Sequence, residues 1–123
     1  MVINEITGNI ITSALEVHSE LGPGLLESTY HVCLLHELRK RGLQVHSQQM
    51  LPVVYDGIKI DAGYRIDLLV ESLVIVEIKS VEKILPIHQA QLLSYLRLSG
   101  RRVGLLLNFN VTHLVDGIKR MIR

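Results

Sequence analysis

Apolar residues recur at spacings of three and four along the first part of the chain. Ile6, Ile10, Ala14, Val17 and Leu21 fall on one helical face, and Gly22-Pro23-Gly24 stops the pattern. A second helix is predicted from about Leu25 to Arg41, with Leu26, Tyr30, Leu34 and Leu38 as its stripe. Glu27 suits its positive end, Arg39, Lys40 and Arg41 suit its negative end, and Gly42 ends it. The period then changes to two. Val53-Val54-Tyr55 and Ile58-Lys59-Ile60 flank Asp56-Gly57, a hairpin signal, and Pro52 puts the first of these strands at an edge or at its own start. Tyr64–Val70 and Leu73–Lys79 read as strands joined by a short turn near Glu71-Ser72. Pro86 opens a third helix and Gly100 closes it. Val103–Leu107 reads as a buried strand, and Val111–Arg123 fits neither helix nor strand clearly. The order helix, helix, three or four strands, helix, strand predicts an α/β (α+β) fold, a mixed sheet with helices packed on it. The strands at 64–70 and 74–79 form an antiparallel hairpin, and a crossover through the third helix makes the next strand parallel to its neighbour.

The length of 123 residues suits one domain, 1–123. At 48% hydrophobic and 20% charged, the chain is expected to be globular rather than disordered. Four Tyr, one Phe and no Trp make the core aliphatic, and argue against a base-stacking platform of the single-strand-binding kind. A net charge of +1 permits a nucleic-acid partner without indicating one. The single cysteine, Cys33, excludes an intramolecular disulfide and fits a reducing compartment. No apolar run is long enough for a membrane span, and MVINEITGN is too polar and acidic for a signal peptide. A soluble cytoplasmic protein without a membrane partner is expected.

The stretch YRIDLLVESLVIVEIKS, residues 64–80, places charges inside two apolar strands. Side chains alternate along a strand, so Ile75, Glu77 and Lys79 share one face and Arg65, Asp67 and Leu69 share another. If Val70 pairs with Val74, Asp67 lies opposite Glu77. Directly opposed like charges are destabilising, and a divalent cation would offset them. Arg65 and Lys79 bring two positive charges to the same patch, so an exposed hairpin laced with salt bridges has the same pattern. Two further pairs accompany the strands. Glu27 and Tyr30 share a face of the second helix, and Gln91 and Tyr95 share a face of the third. Six histidines form no HExxH, and one cysteine offers no thiolate set, so zinc is not indicated. No Walker-type loop or GxGxxG fingerprint points to a nucleotide cofactor.

Together these residues resemble a known pattern. Asp67 followed by Glu77-Ile78-Lys79 is similar to the D…(D/E)-x-K signature of the PD-(D/E)XK nuclease superfamily. Gln91-Leu92-Leu93-Ser94-Tyr95 resembles the QxxxY motif of its RecB-type branch, and Gly24 through Tyr30 resembles the motif of the GxxExxY family of small bacterial proteins. Ile66 stands where the signature has Pro. The resemblance runs from about Ile6 to Lys119. It implies a restriction-endonuclease-like core and metal-dependent hydrolysis of phosphodiesters, DNA before RNA. Asp67, Glu77 and the backbone carbonyl of Ile78 would hold Mg²⁺ or Mn²⁺. Glu27 would act through water or on a second metal, Lys79 would stabilise charge beside the attacking water, and Gln91 and Tyr95 would orient the site. Arg97, Arg101 and Arg102 are candidates for phosphate contacts or ordinary solvated charges. The alternative is a catalytically idle nuclease fold used for nucleic-acid binding or oligomeric assembly. A domain this small leaves room for a homodimer.

Overall fold

The computed structural model describes residues 1–123. Helix α1 (Ile3–Leu21) and helix α2 (Glu27–Lys40) come first, followed by strands β1 (Val45–Met50), β2 (Val53–Tyr55), β3 (Ile58–Ile60), β4 (Arg65–Val70) and β5 (Val74–Lys79). Helix α3 (Pro86–Ser99) then leads to β6 (Val103–Asn108), a 3₁₀ turn (Leu114–Gly117) and β7 (Ile118–Ile122). Five strands form one mixed sheet in the order β1-β4-β5-β6-β7, and only the β5–β6 pair is parallel. The predicted fold class therefore holds, and α3 is the crossover that makes β6 run with β5.

The sheet separates two apolar layers. Ile6, Ile10 and Ala14 of α1, and Tyr30, Leu34 and Leu38 of α2, pack with Leu68, Val70, Val74, Val76 and Ile78 on one face. Leu92, Tyr95 and Leu96 of α3 pack with Ile66, Leu69, Ile75 and Leu106 on the other. Since both faces of β5 and β6 are covered, these central strands read as continuous apolar runs.

Two strands escape the sequence pattern. β1 reads VHSQQM, and only Val45 is buried, because this strand is an edge. β7 is the opposite edge and is mostly exposed on both sides, so its tail sequence carries no clean alternation. The Asp56-Gly57 hairpin forms as predicted, with positive φ at both residues, but it stands outside the main sheet as a ribbon of its own. It rises from the end of the β1–β4 pair, which the Leu51 N–H closes on the Tyr64 carbonyl at 2.9 Å.

A network around Tyr30 fixes the turn between α1 and α2. Its ring stacks on Phe109 with centroids 4.6 Å apart. Its hydroxyl donates to the Gly22 carbonyl at 2.6 Å and accepts from the Leu25 N–H at 3.1 Å. Asn110 Oδ1 accepts from the Gly24 N–H, and Ser80 Oγ donates to the Leu25 carbonyl. Gly24 has φ +94°, a conformation that favours glycine. The entry into α2 is thereby held from three directions, by Tyr30, by the residues after β5 and by those after β6.

Removing only the hydroxyl, in Tyr30→Phe, leaves a part-buried carbonyl and N–H short of a partner. The expected loss is about 1–3 kcal/mol by urea unfolding, with the ring stacking unchanged. A second test concerns glycines at close approaches. A Cβ at Gly117 would collide with the backbone carbonyl oxygen of Asn108, whereas one at Gly104 would meet the movable Leu92 side chain at 2.8 Å. Gly117→Ala is expected to cost about 3 kcal/mol or more and Gly104→Ala roughly 1–2 kcal/mol. An equal loss in the two variants would contradict the described packing.

Candidate active site

The register of the β4–β5 hairpin brings the two strand carboxylates together. Val70 pairs with Val74, Leu69 with Ile75 and Leu68 with Val76. One step further along, the backbone ladder gives way to the side chains. The Asp67 N–H donates to Glu77 Oε2 at 2.8 Å, and the Ile78 N–H donates to Asp67 Oδ2 at 2.8 Å. Each carboxylate thus accepts a backbone proton from the strand that carries the other. On the far side of β4 the β1 ladder also skips Asp67, where Gln48 of β1 has φ +55°.

This irregularity corrects the simple alternation predicted for β4. Ile66 packs with Leu69 on the α3 face, although the two differ in parity, while Leu68 packs on the opposite face. Asp67 therefore marks a change of face, and its side chain lines a recess of about 400 Å³ with Glu27 and His31 of α2 and Ser47 and Gln48 of β1. Sequence reasoning passed over His31. It lies four residues after Glu27, on the same helical face, and hydrogen-bonds Ser47 Oγ through Nε2 at 2.8 Å.

Burial dominates the electrostatics. Glu77 is only 5% exposed. Desolvation first, and the neighbouring Asp67 second, push its pKa up to about 8, against the backbone N–H and Lys79. Glu27 adds a smaller upward push. Asp67 is also raised, chiefly by burial, and is held back by the Ile78 N–H, His31 and Lys79. The two carboxylates titrate as a pair that retains a proton above the usual carboxylate range. Lys79 lowers both, yet no cation lies within 4.0 Å of either carboxylate. The only ion pairs in the chain join Glu37 to Lys40 and Arg41. The salt-bridged exposed hairpin is therefore not what forms.

Tyr95, on α3, completes the neighbourhood. Its pKa is raised by burial and then by Glu77 and Asp67, and its ring belongs to the apolar cluster that contains Ile66 and Ile75, neighbours of those carboxylates along β4 and β5. Gln91 Nε2 donates to the Tyr95 hydroxyl at 3.3 Å. Glu27 is the first residue of α2, exposed at the turn that Tyr30 pins. Tyr30 itself is fully buried and positions that turn from the core.

The arginines go elsewhere. Arg101 donates through Nε to the Ser72 carbonyl and through Nη1 to the Ser99 carbonyl. It thus anchors the β4–β5 turn, beyond the Val74–Val103 pair and about 10 Å or more along the strands from Glu77. Arg102 adjoins it there, so neither reaches the carboxylates. Arg97, in the last turn of α3, forms no ion pair with the site carboxylates.

No three His, Cys, Asp or Glu side chains gather into one metal-ligand group, and no helix is long and apolar enough to cross a membrane. No curated protein and no solved structure matches the chain. A family model does, over residues 4–121, and that span contains the hairpin carboxylates, Lys79, the α2 entry and the α3 face. The chain belongs to the PD-(D/E)XK nuclease superfamily.

Proposed function

We propose that the protein is a GxxExxY-type, RecB-branch nuclease that hydrolyses phosphodiesters of DNA with Mg²⁺ or Mn²⁺, folded as one domain over 1–123. The observation that carries this reading is the interlocked pair of half-buried Asp67 and buried Glu77, which has no side-chain cation in contact. Two desolvated carboxylates side by side oppose folding unless a proton or a cation joins them. Their donor set is all oxygen. The lack of a third His, Cys, Asp or Glu ligand suits Mg²⁺, which takes one or two carboxylates and keeps several waters. It does not suit a closed zinc cage.

Asp67 and Glu77 would hold the ion, with the Ile78 carbonyl as a further oxygen. Glu27 would act from the exposed start of α2 through water. A cation held there supplies Lewis-acid polarisation of a phosphate oxygen and acidifies a water. Lys79, partly exposed at the end of β5, would stabilise the negative charge that develops on the phosphate. Tyr95, oriented by Gln91, would position the scissile strand from the α3 side.

Cleavage of linear, circular and single-stranded DNA, and of RNA, tests this directly. With Mg²⁺ or Mn²⁺, wild type should cut DNA. Lys79→Ala should lower the rate about 100-fold or more, and chelator should abolish it. A folded wild type that cuts no substrate would sink the reading and favour a binding module.

The carboxylate pair also predicts a pH dependence of stability. Glu77 ordinarily titrates near 4.5 and is raised to about 8 by folding. Between these values the native state binds more protons than the unfolded state, so stability falls as pH rises. The penalty is absent below about pH 4.5 and complete above about pH 8. In chelator, the melting temperature should therefore drop from pH 5.5 to pH 8.5, and Glu77→Gln should flatten that slope. Added Mg²⁺ should raise it more at pH 8.5 than at pH 5.5, because no proton then competes for the pair. A slope of the opposite sign in wild type would contradict the described burial.

A further inference from the structure

A cleft on the α3 side of the sheet shares Gln91 and Tyr95 with the candidate site. It has a volume of about 720 Å³, within the range of small-ligand sites. One wall is the β2–β3 ribbon with the segment that follows it, contributing Val53, Ile60, Ala62 and Tyr64. The other wall is one face of α3, with Ile87, Gln91, Tyr95 and Leu98. Gln91 and Tyr95 line the cleft, and Tyr95 packs in one cluster with Ile66 and Ile75, which neighbour Asp67 and Glu77 along their strands, so the cleft adjoins the carboxylate end of the hairpin.

The chemistry of the walls is selective. No Lys, Arg, Asp or Glu lines the cleft. Its polar groups are few: Gln91, Ser94, the two phenols and His88. The His88 Nδ1 accepts the Leu85 N–H at 3.0 Å, so the neutral ring carries its proton on Nε2, as a donor. Such a surface offers phosphate no counter-charge, but it offers an apolar, planar ligand with hydrogen-bonding edges both walls and donors.

The tyrosines are concentrated here. The chain has four. Tyr30 is in the core, while Tyr64 and Tyr95 meet edge to face in the cleft with centroids 6.1 Å apart. Tyr55 lies on the same ribbon face as Val53, and Ile58 on the same face as Ile60, by strand alternation. They are 71% and 62% exposed, so the apolar wall continues past the cleft into solvent. A two-stranded ribbon outside the main sheet that exposes such a face has the character of an interaction surface. The overall scarcity of aromatics argued against base stacking, but their placement reverses that argument locally.

We propose that the cleft between the β2–β3 ribbon and α3 is a subsite for unpaired nucleobases, which makes single-stranded nucleic acid the substrate of the adjacent site. The inference rests on the nuclease reading for its cleavage step, and on the cleft alone for binding. Bases stacked within a duplex cannot enter a slot of this kind. Bases of a single strand can, while their phosphates remain outside the apolar walls, near Lys79 and the carboxylates.

Binding in chelator separates this from cleavage. Fluorescence anisotropy would compare a labelled single-stranded oligodeoxynucleotide, its blunt duplex and an abasic strand of equal length. The expected result is binding of the ordinary strand about tenfold or more tighter than either of the others. Tyr64→Ala should lose roughly tenfold for the ordinary strand only, and Tyr64→Phe should keep most of the affinity, since stacking uses the ring. Tyr55→Ala, at an exposed position that tolerates truncation, should lose about threefold. Equal binding of ordinary and abasic strands would overturn the proposal, as would unchanged affinity in a folded Tyr64→Ala. Base-dependent binding without cleavage in Mg²⁺ or Mn²⁺ would keep the subsite and remove the nuclease reading. Equal cleavage of duplex and single strand, without base-dependent binding, would keep the nuclease and remove the subsite.

Discussion

The site depends on an exchange between two strands. At the end of the β4–β5 hairpin, two side-chain carboxylates accept the backbone protons of Asp67 and Ile78. Backbone N–H groups in a buried sheet must be satisfied, and ordinary carbonyl pairing would do it. Replacing those acceptors by Asp67 and Glu77 lets the strands part without orphaning a donor. It also fixes both carboxylates to the backbone, so their separation is set by the sheet and not by flexible side chains. The cost is a pair of like charges with little water around them, which burial and mutual repulsion oppose. The rest of the fold has to tolerate that cost. It does so with apolar layers on both faces of β5, where Val74 to Ile78 are all buried.

The second requirement is placement of the residues that arrive from other elements. Glu27 stands on the exposed first turn of α2, where nothing in the helix itself would fix it. The turn before it is tied to Tyr30, Asn110 and Ser80, and so to the segments that follow β5 and β6. Asn108, almost fully buried at the end of β6, accepts the Val81 N–H and donates to the Val81 carbonyl. The chain leaving Lys79 is thereby locked to the chain leaving β6. Three separate pieces of sequence converge at one end of the sheet, and short polar side chains hold them there. The motif that joins Gly24, Glu27 and Tyr30 is explained by these roles. The first permits the turn, the second occupies the helix start, and the third ties the turn to the core.

Much of this was legible in the chain. The helix stripes, apart from Leu21 and Leu26, which are exposed at the turn between the helices, the Asp56-Gly57 hairpin and the pairing of Val70 with Val74 follow from local rules, and that register alone places Asp67 opposite Glu77. β1 was not legible, because an edge strand buries only Val45 and its polar sequence resembles a loop. β7 was ambiguous for the same reason. The change of face at Asp67 was hidden because alternation assumes an uninterrupted ladder, and the carboxylates interrupt it. His31 had a usable signal, four residues from Glu27, but its partner Ser47 lies on the strand that the sequence concealed. Arg101 shows the converse. A cation near the end of the third helix suggests phosphate, yet its guanidinium is used by two carbonyls of the distant turn.

The division of polarity around the site follows from these constraints. The carboxylates must be anchored by backbone, so they sit where two central strands part and are shielded by α2 on one side and α3 on the other. The α2 side is polar, with Glu27, His31 and Ser47 around Asp67. The α3 side is apolar and aromatic, with Tyr64 and Tyr95 beside Gln91. A nucleic-acid strand carries both kinds of surface, a charged phosphodiester backbone and planar bases. A site with a cation-attracting wall on one side and an uncharged aromatic wall on the other can therefore orient a strand by sorting its two surfaces. On the proposed reading such sorting would need no basic patch, in keeping with a net charge of only +1.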